Sequence, residues 1–424
     1  MRVLSRQSKV LIAFLFINLF GVFQIVMQNA VGIMASDLKR HLNVDAALIS
    51  ILSSSFFYSY ILMQIPAGII YDRYGIRSVS SFSLLLVGFS CLASSTAQTV
   101  EMAILWRVLL GGACATGFIG ILVACKRWFS ARRLALIIAL TESFCMLGVA
   151  GVNTLLSELV ITWGWARAYV CCGVFALLLA SLTWISADPA FDLEENQVPK
   201  SQQASAKDIL TQLIGSKDIW LGGTSGGFVF ALVSVFAALW AVPFVMVQHQ
   251  LDLFLATSVV SMIYVGIGIA SPFVGWLANR YDCKTIMLWG TLLCVGINLA
   301  LLFVTVLPLW ILYLWMFLLG LCCSVYQLAF TLVSLTISPA IQGAAMGMTN
   351  MLIMAFAPFL QVVIGFLLSM QTGSGAVGTQ AQMSVDYRNA LLVLPLGLVC
   401  SIFVILYLIR TSSSHNQQQL PAKS

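Results

Sequence analysis

The sequence predicts an all-α integral membrane protein of twelve transmembrane helices, arranged as two six-helix halves, and three observations carry that prediction. Hydrophobic residues make up 60% of the 424-residue chain and charged residues 8%, which is too apolar for water-soluble domains of the usual size. Runs of about 20 residues with few charges recur, each long enough at 1.5 Å per residue to cross a hydrocarbon core of about 30 Å. Features of the first half also return in the second half at a constant offset of 207 positions.

The spans lie roughly at 10–33, 48–71, 79–97, 102–124, 134–157, 168–187, 219–247, 256–278, 285–306, 309–335, 345–369 and 389–410. The first follows Arg2, Arg6 and Lys9 and stays apolar well beyond the length of a signal-peptide core, so it is read as a retained helix. The eleven cysteines are an odd number and lie in or at the ends of spans, except Cys283, which the sequence places in a loop. They read as small apolar packing residues rather than a disulfide framework.

Charge is better read by location than by its sum of +6. With both termini in the cytoplasm, the inner segments hold sixteen Lys and Arg and the outer segments four, namely Lys39, Arg40, Arg167 and Arg388. That asymmetry sets the orientation by the positive-inside rule. Because the basic residues are scattered over short loops, a nucleic-acid partner is excluded.

The longest inner segment, 188–218, carries Asp188, Asp192, Glu194 and Glu195 before a Gln/Ser/Ala stretch and reads as a solvated linker. It divides the chain into halves at 1–187 and 219–410, followed by a cytoplasmic tail at 411–424. At the offset of 207, "GIIYDRYGIR" (68–77) lies on "GWLANRYDCK" (275–284), and Asn43-Val44-Asp45 lies on Gln250-Leu251-Asp252 without a gap. Duplication of a six-helix unit explains both matches.

The loop pattern Gly68-x-x-x-Asp72-Arg73-x-Gly75-x-Arg77, weakly repeated as Gly275, Arg280 and Lys284, resembles the signature of the major facilitator superfamily. Further matches are Arg107-x-x-x-Gly111, "KRWFSARRLA" (126–135) and "WGWARAYV" (163–170). The resemblance spans the whole chain and implies two bundles that rock about a central site. It also implies that the loop residues form a latch, holding the halves together on the inner side when the outer side is open. Asn279 and Asp282 replace the acid and the glycine in the second copy, which weakens the expectation of a latch there. Gly75 supplies a flexible turning position, and a carboxylate at the end of span 2 is suited to a helix terminus or an arginine.

Ionisable groups inside spans cost roughly 2.5–3.5 kcal/mol on insertion scales, so each needs a reason. Arg107 lies about 7–8 Å into span 4 and Glu142 about 12 Å into span 5 from the opposite side. Arg107 is either a substrate or coupling residue or a structural hydrogen-bond hub. Glu142 is either the proton-coupling acid or an acid paired between helices. Gln24 and Gln28 share a helix face, with Asn29 adjacent. The resemblance implies that spans 1, 4, 7 and 10 line the cavity, which makes Gln24, Gln28, Arg107, Trp240, Tyr326 and Gln327 the substrate-binding candidates, in competition with helix packing by buried amides. Pro66, Pro243, Pro272 and Pro358 invite kinks.

The expected function is a secondary active transporter in a bacterial inner membrane. It would move a small polar metabolite by alternating access, with proton symport, as a monomer and without a cofactor. The alternatives are a transport-inactive sensor or receptor on the same scaffold, or an exporter of a siderophore or drug. "MLGVAGVNTL" (146–155) lacks the proline of the superfamily's drug-proton antiporters, which argues against drug export. No Walker sequence is present, His41, His249 and His415 have no ligand cluster around them, and no catalytic set can be argued, so neither a metal site nor an enzyme is expected.

Overall fold

A computed structural model describes residues 6–129, 134–188, 206–278, 280–304, 307–337, 341–372 and 380–418. Among these residues the chain is helical, without strands. The first half contains α1 (Arg6–Ile33), α2 (Ala35–Leu42), α3 (Ala46–Ser94), α4 (Val100–Trp128), α5 (Leu134–Trp163) and α6 (Trp165–Ser186). After α7 (Ala206–Gly215), the second half begins with α8 (Lys217–Ala231), a π-helix over Leu232–Trp240 and α9 (Ala241–His249), which together make one crossing. It continues with α10 (Leu253–Ala278), α11 (Cys283–Phe303), and α12 (Leu309–Cys323), which passes through a 3-10 turn at Ser324–Gln327 into α13 (Leu328–Thr336). The chain ends with α14 (Gln342–Thr372), α15 (Gln380–Leu391) and α16 (Val393–Gln418).

Eleven of the described helical stretches are long and apolar enough to cross a membrane. The 49-residue α3 holds two crossings, because Gly75 takes φ 74° and ψ 167° and breaks it. Twelve crossings result, as the hydropathy pattern predicts. Only a glycine adopts that backbone without strain, which is what the loop asks of this position. The two ends of the molecule are called below the Asp45 face and the Asp72 face.

The duplication is written into the backbone. Among the described residues, the non-glycine positions with positive φ are Asn43 (51°) and Gln250 (55°), the two residues that the 207-residue offset superimposes. Each ends a helix in the left-handed conformation, and each is followed by an aspartate that caps the next helix: Asp45 accepts from Leu48 N at 2.9 Å, and Asp252 accepts from Leu255 N at 2.8 Å. A second repeated device is a glycine contact. A Cβ on Gly111 would sit 2.1 Å from Phe56 O, and one on Gly320 would sit 2.1 Å from Ile263 O. Phe56 and Ile263 are again 207 apart, so the same close approach fastens the second helix to the fourth in each half.

Two sequence expectations need correction. The 188–218 segment is not a solvated linker throughout: residues 189–205 lie outside the described residues, but α7 follows, with Leu213 buried against Ile219, Val333, Ile341, Ala345 and Met348. Cys283 is not in a loop. It is the buried first residue of α11, behind the Asp282 cap. Span 7, where Pro243 invites a kink, is irregular. Its middle is wound as a π-helix ahead of Pro243, whose missing N–H leaves the Leu239 carbonyl without its helical donor. Gln361 of α14 donates to Ser234 O at 2.7 Å and satisfies one carbonyl of that widened turn.

Candidate functional site

The two halves meet at a seam where α3 packs on α14, α5 on α10, and α1 on the π-helix. Glu142 lies at this seam in the third turn of α5. Its carboxylate accepts a hydrogen bond from the Tyr326 hydroxyl at 2.9 Å, a contact between the halves. The 3-10 turn that interrupts the tenth crossing tightens the helix here and positions Tyr326 and Gln327 side by side. Tyr326 packs against Phe230 with ring centroids 4.7 Å apart. Gln327 donates to Ser271 Oγ at 2.7 Å, and Ser271 donates to Ile267 O. Glu142 and Gln327 are half-buried, while Tyr326 is buried.

Gln24 faces the same level from the first half. Its Oε1 accepts from Phe118 N at 3.3 Å, and its side chain fills the space left by Gly117. Tyr60 lies beside both Gln24 and Gln64 and within electrostatic range of Glu142. Across the seam, Asn29 of α1 meets the hydroxyl of Tyr264 of α10. The sequence candidates omitted Tyr60, Gln64, Tyr264 and Ser271. The pairs Tyr60/Gln64 and Tyr264/Ser271, spaced at helical intervals within apolar spans, were the available signal.

Three other candidates serve different places. Arg107 is 2% exposed and donates to Met27 O at 2.6 Å and to Gln28 O at 2.9 Å. It lies over the Phe56 ring at 4.9 Å and beside the Tyr169 hydroxyl. All of these partners belong to the first half, so the guanidinium ties α1, α3, α4 and α6 together, which is the hub geometry. Gln28 contributes a carbonyl to that hub and is itself buried. Trp240 ends the π-helix at 1% exposure and meets the Tyr387 ring edge-on at 6.5 Å, near the Asp45 face.

The Asp45 face is closed across the seam. Ser369 of α14 donates to the Asp45 carboxylate. Gly365 lies against Ser50 and Ala46, and Gly32 against the Ala238–Leu239 backbone. Partial burial acts to raise the Asp45 carboxyl, but hydrogen bonds from Ser369 and Leu48 N and the Lys39 charge outweigh it and hold the group below its ordinary value. A recess of about 330 Å³ remains on this face, lined in part by Ser36, Met246, Gln380 and Tyr387.

The Asp72 face differs. Asp72 pairs with Arg127 of its own half at 3.0 Å, with its side chain 79% exposed. A Cβ at Gly68 or Gly275 would meet nothing within 4 Å. Arg73 stacks on Tyr74, Arg77 lies over Trp184 at 4.2 Å, Arg280 lies over Trp276 at 4.3 Å, and Lys284 donates to Leu408 O at 3.3 Å. These contacts stay within each half. Asn279 lies outside the described residues. Among the described residues no three His, Cys, Asp or Glu side chains converge as a metal site.

The family model described as Major Facilitator Superfamily matches residues 14–361 and 241–423. The chain is 24% identical to the uncharacterized transporter YybO of Bacillus subtilis, over 65% of this chain and 67% of YybO. It is also 24% identical to the probable galactarate/D-glucarate transporter GarP of Escherichia coli K12, over 60% of this chain and 63% of GarP's length. Among solved structures, it matches a bacterial homolog of the human lysosomal transporter Spinster, in an inward-facing and unoccupied conformation. The TM-score is 0.77 at 14% identity, over 96% of this chain and 98% of that one.

Proposed function

This chain belongs to the Major Facilitator Superfamily, and from that premise we propose that it is a secondary active transporter that carries a small polar metabolite across a bacterial inner membrane by alternating access, with proton symport through Glu142. The observation that carries the proposal is the Tyr326–Glu142 hydrogen bond. It couples an acid at membrane depth to the relative position of the two halves, so any motion that separates them changes the surroundings of that acid. Conformation and proton affinity are then linked, and the linkage is reciprocal.

The distribution of Lys and Arg assigns the Asp72 face and both termini to the cytoplasm. With that assignment, the contacts at Asp45 and Gly365 are an outer gate in its closed state, and the Asp72 latch is disengaged on an open inner side. The bodies that rock are 1–187 and 219–410. Gln24, Tyr326 and Gln327, with Tyr60 and Gln64, offer amide and hydroxyl groups around Glu142, a lining suited to a hydrogen-bonding metabolite. A second reading, an organic acid as cargo, is favoured by the likeness to GarP. Against it, both terminal nitrogens of Arg107 donate to main-chain carbonyls, although its buried Nε has no hydrogen-bond partner.

The test has two stages. A thermal-shift screen of the purified protein against neutral metabolites and organic acids selects a cargo, because a ligand of the folded state raises apparent stability. Uptake of that cargo into proteoliposomes is then measured with and without an imposed pH gradient. Accumulation only with the gradient supports symport, and equal filling without it leaves facilitated diffusion.

A further inference from the structure

We propose that Gln64 is the specificity-determining residue of the central site, and that it selects an uncharged cargo with an amide-type edge, an N–H beside a C=O, as in a lactam, a ureide or a nucleobase. The inference rests on the transporter reading and names the cargo class of that same site.

The internal repeat explains why this amide has no partner. In each half the second helix is fastened to the fourth by a glycine contact, Phe56 on Gly111 and Ile263 on Gly320. Eight residues further along, about 12 Å at helical rise, the second helices carry Gln64 and Ser271. Seven residues beyond the two glycines, the fourth helices carry Phe118 and Gln327. In the second half the two polar side chains meet, and Gln327 donates to Ser271 Oγ at 2.7 Å. In the first half the matching position is Phe118, whose side chain has neither an N–H nor an oxygen to offer. The Tyr60 hydroxyl lies beside the Gln64 amide, yet neither Oε1 nor Nε2 is in hydrogen-bonding geometry with it or with any other described group, at 3% exposure. Among the described residues, Asn298 is the other amide with both atoms buried and unpartnered. It stands on α11, which packs within the second half, whereas Gln64 stands next to Tyr60, within electrostatic range of Glu142.

A carboxamide holds an acceptor and a donor side by side in one plane. Its complement is a group with a donor beside an acceptor, and glutamine reads the edge of adenine in this way. A carboxylate has acceptors only. It would take Nε2, leave Oε1 facing another oxygen, and bring a second negative charge toward Glu142. A polar atom left unpaired in a buried complex costs about ten- to a hundredfold in affinity, so the site disfavours an organic acid. The aromatic pairs Phe56–Tyr60 and Phe230–Tyr326 supply flat apolar walls, which suit a planar edge better than a branched polyol. Parting of the halves withdraws Tyr326 from Glu142 and opens this corner of the first half to cargo.

The experiment follows thermal unfolding of the full-length protein in lipid nanodiscs against uracil, hypoxanthine and nicotinamide. The comparison compounds are 1,3-dimethyluracil, in which both ring N–H groups are methylated, mannitol and glucarate. The expected result is that one or more of the first three raises the unfolding temperature saturably, with an apparent Kd about tenfold or more below those of the comparison compounds. Gln64→Met, of similar length but without the amide, should weaken that probe about ten- to a hundredfold. It should leave the unfolding temperature of the empty protein unchanged or higher, because no hydrogen bond is lost; a purely structural residue would lower it. The methylated probe tests the edge on the parental protein, so the result does not depend on the variant folding. No shift with any of the three, equal affinity for 1,3-dimethyluracil, or parental probe affinity in Gln64→Met overturns the proposal. Tightest binding by glucarate overturns it too, and leaves the transporter reading in place. Counterflow of the bound probe in proteoliposomes separates the two readings: saturable, Gln64-dependent binding without counterflow removes the transporter reading, while recognition of the amide edge stands.

Discussion

Tyr326 of the second half donates a 2.9 Å hydrogen bond to Glu142 of the first, across 184 residues of sequence and the seam along which the halves would have to part. If the proposed symport holds, removing either partner should separate coupling from carriage. Glu142→Gln should abolish accumulation driven by a pH gradient and keep counterflow exchange. Tyr326→Phe, which loses one hydrogen bond worth about 0.5–1.5 kcal/mol, should lower gradient-driven uptake by up to about tenfold. Paired proteoliposome assays check both, and a Glu142→Gln variant that accumulates like the parent would make the acid structural.

Arg107→Ala should act on stability. Its two bonds to Met27 O and Gln28 O tie α4 to α1 within the first half, and losing them should cost about 3 kcal/mol. The readout is a lower unfolding temperature and a poor folded yield. A normal unfolding temperature with a large rise in the half-saturating cargo concentration would return Arg107 to the substrate site.

The closed Asp45 face should respond to acid. The Asp45 carboxyl is held below its ordinary value of 3.8 in the folded, closed arrangement. Its contribution is therefore fully present above that value and is lost as pH falls through the lower, folded one. Below about pH 4 the α3 cap and the Ser369 clasp should weaken, and Asp45→Asn should remove that pH dependence. Cysteine labelling near Ser369, followed between pH 3 and 7, would show the difference; identical profiles would contradict it.

Gly111→Ala and Gly320→Ala should each destabilise by about 1–3 kcal/mol through overpacking, because the added methyl falls 2.1 Å from a backbone oxygen. Gly151→Ala and Gly296→Ala, whose added methyl meets nothing within 4 Å, are the controls. Thermal unfolding in detergent ranks the four.

Orientation can be checked directly. A cysteine placed at Ser201 should react with an impermeant reagent only after the cells are opened. Strong labelling in intact cells would invert the assignment.

The sequence made the crossings legible because lipid solvation demands long apolar runs, and it made the duplication legible because Asp45 and Asp252 hold the same capping role. Glu142 stood out because an acid at that depth is costly. Its partner did not, since Tyr326 reaches it only through the tertiary seam. The Arg107 hub was ambiguous for a related reason: main-chain carbonyls are acceptors at every residue and leave no mark in composition. Buried amides usually find a partner, so the unpaired one of Gln64 cannot be told from an ordinary one without coordinates. Leu213 shows the reverse case, where a polar stretch upstream hid a short helix with a buried residue.

The left-handed corners at Asn43 and Gln250 bear on how the chain is made. Each half carries its own corner, its own capped second helix and its own glycine knuckle, so these contacts of the first half can close before the second is translated. At about 5–20 residues per second, the first half waits in the bilayer for roughly ten seconds to a minute, with the seam face of α5, including Glu142, turned toward lipid or the insertion machinery. A ribosome-stalled chain long enough for α6 (Trp165–Ser186) to have left the ribosome should therefore already resist extraction as an inserted unit.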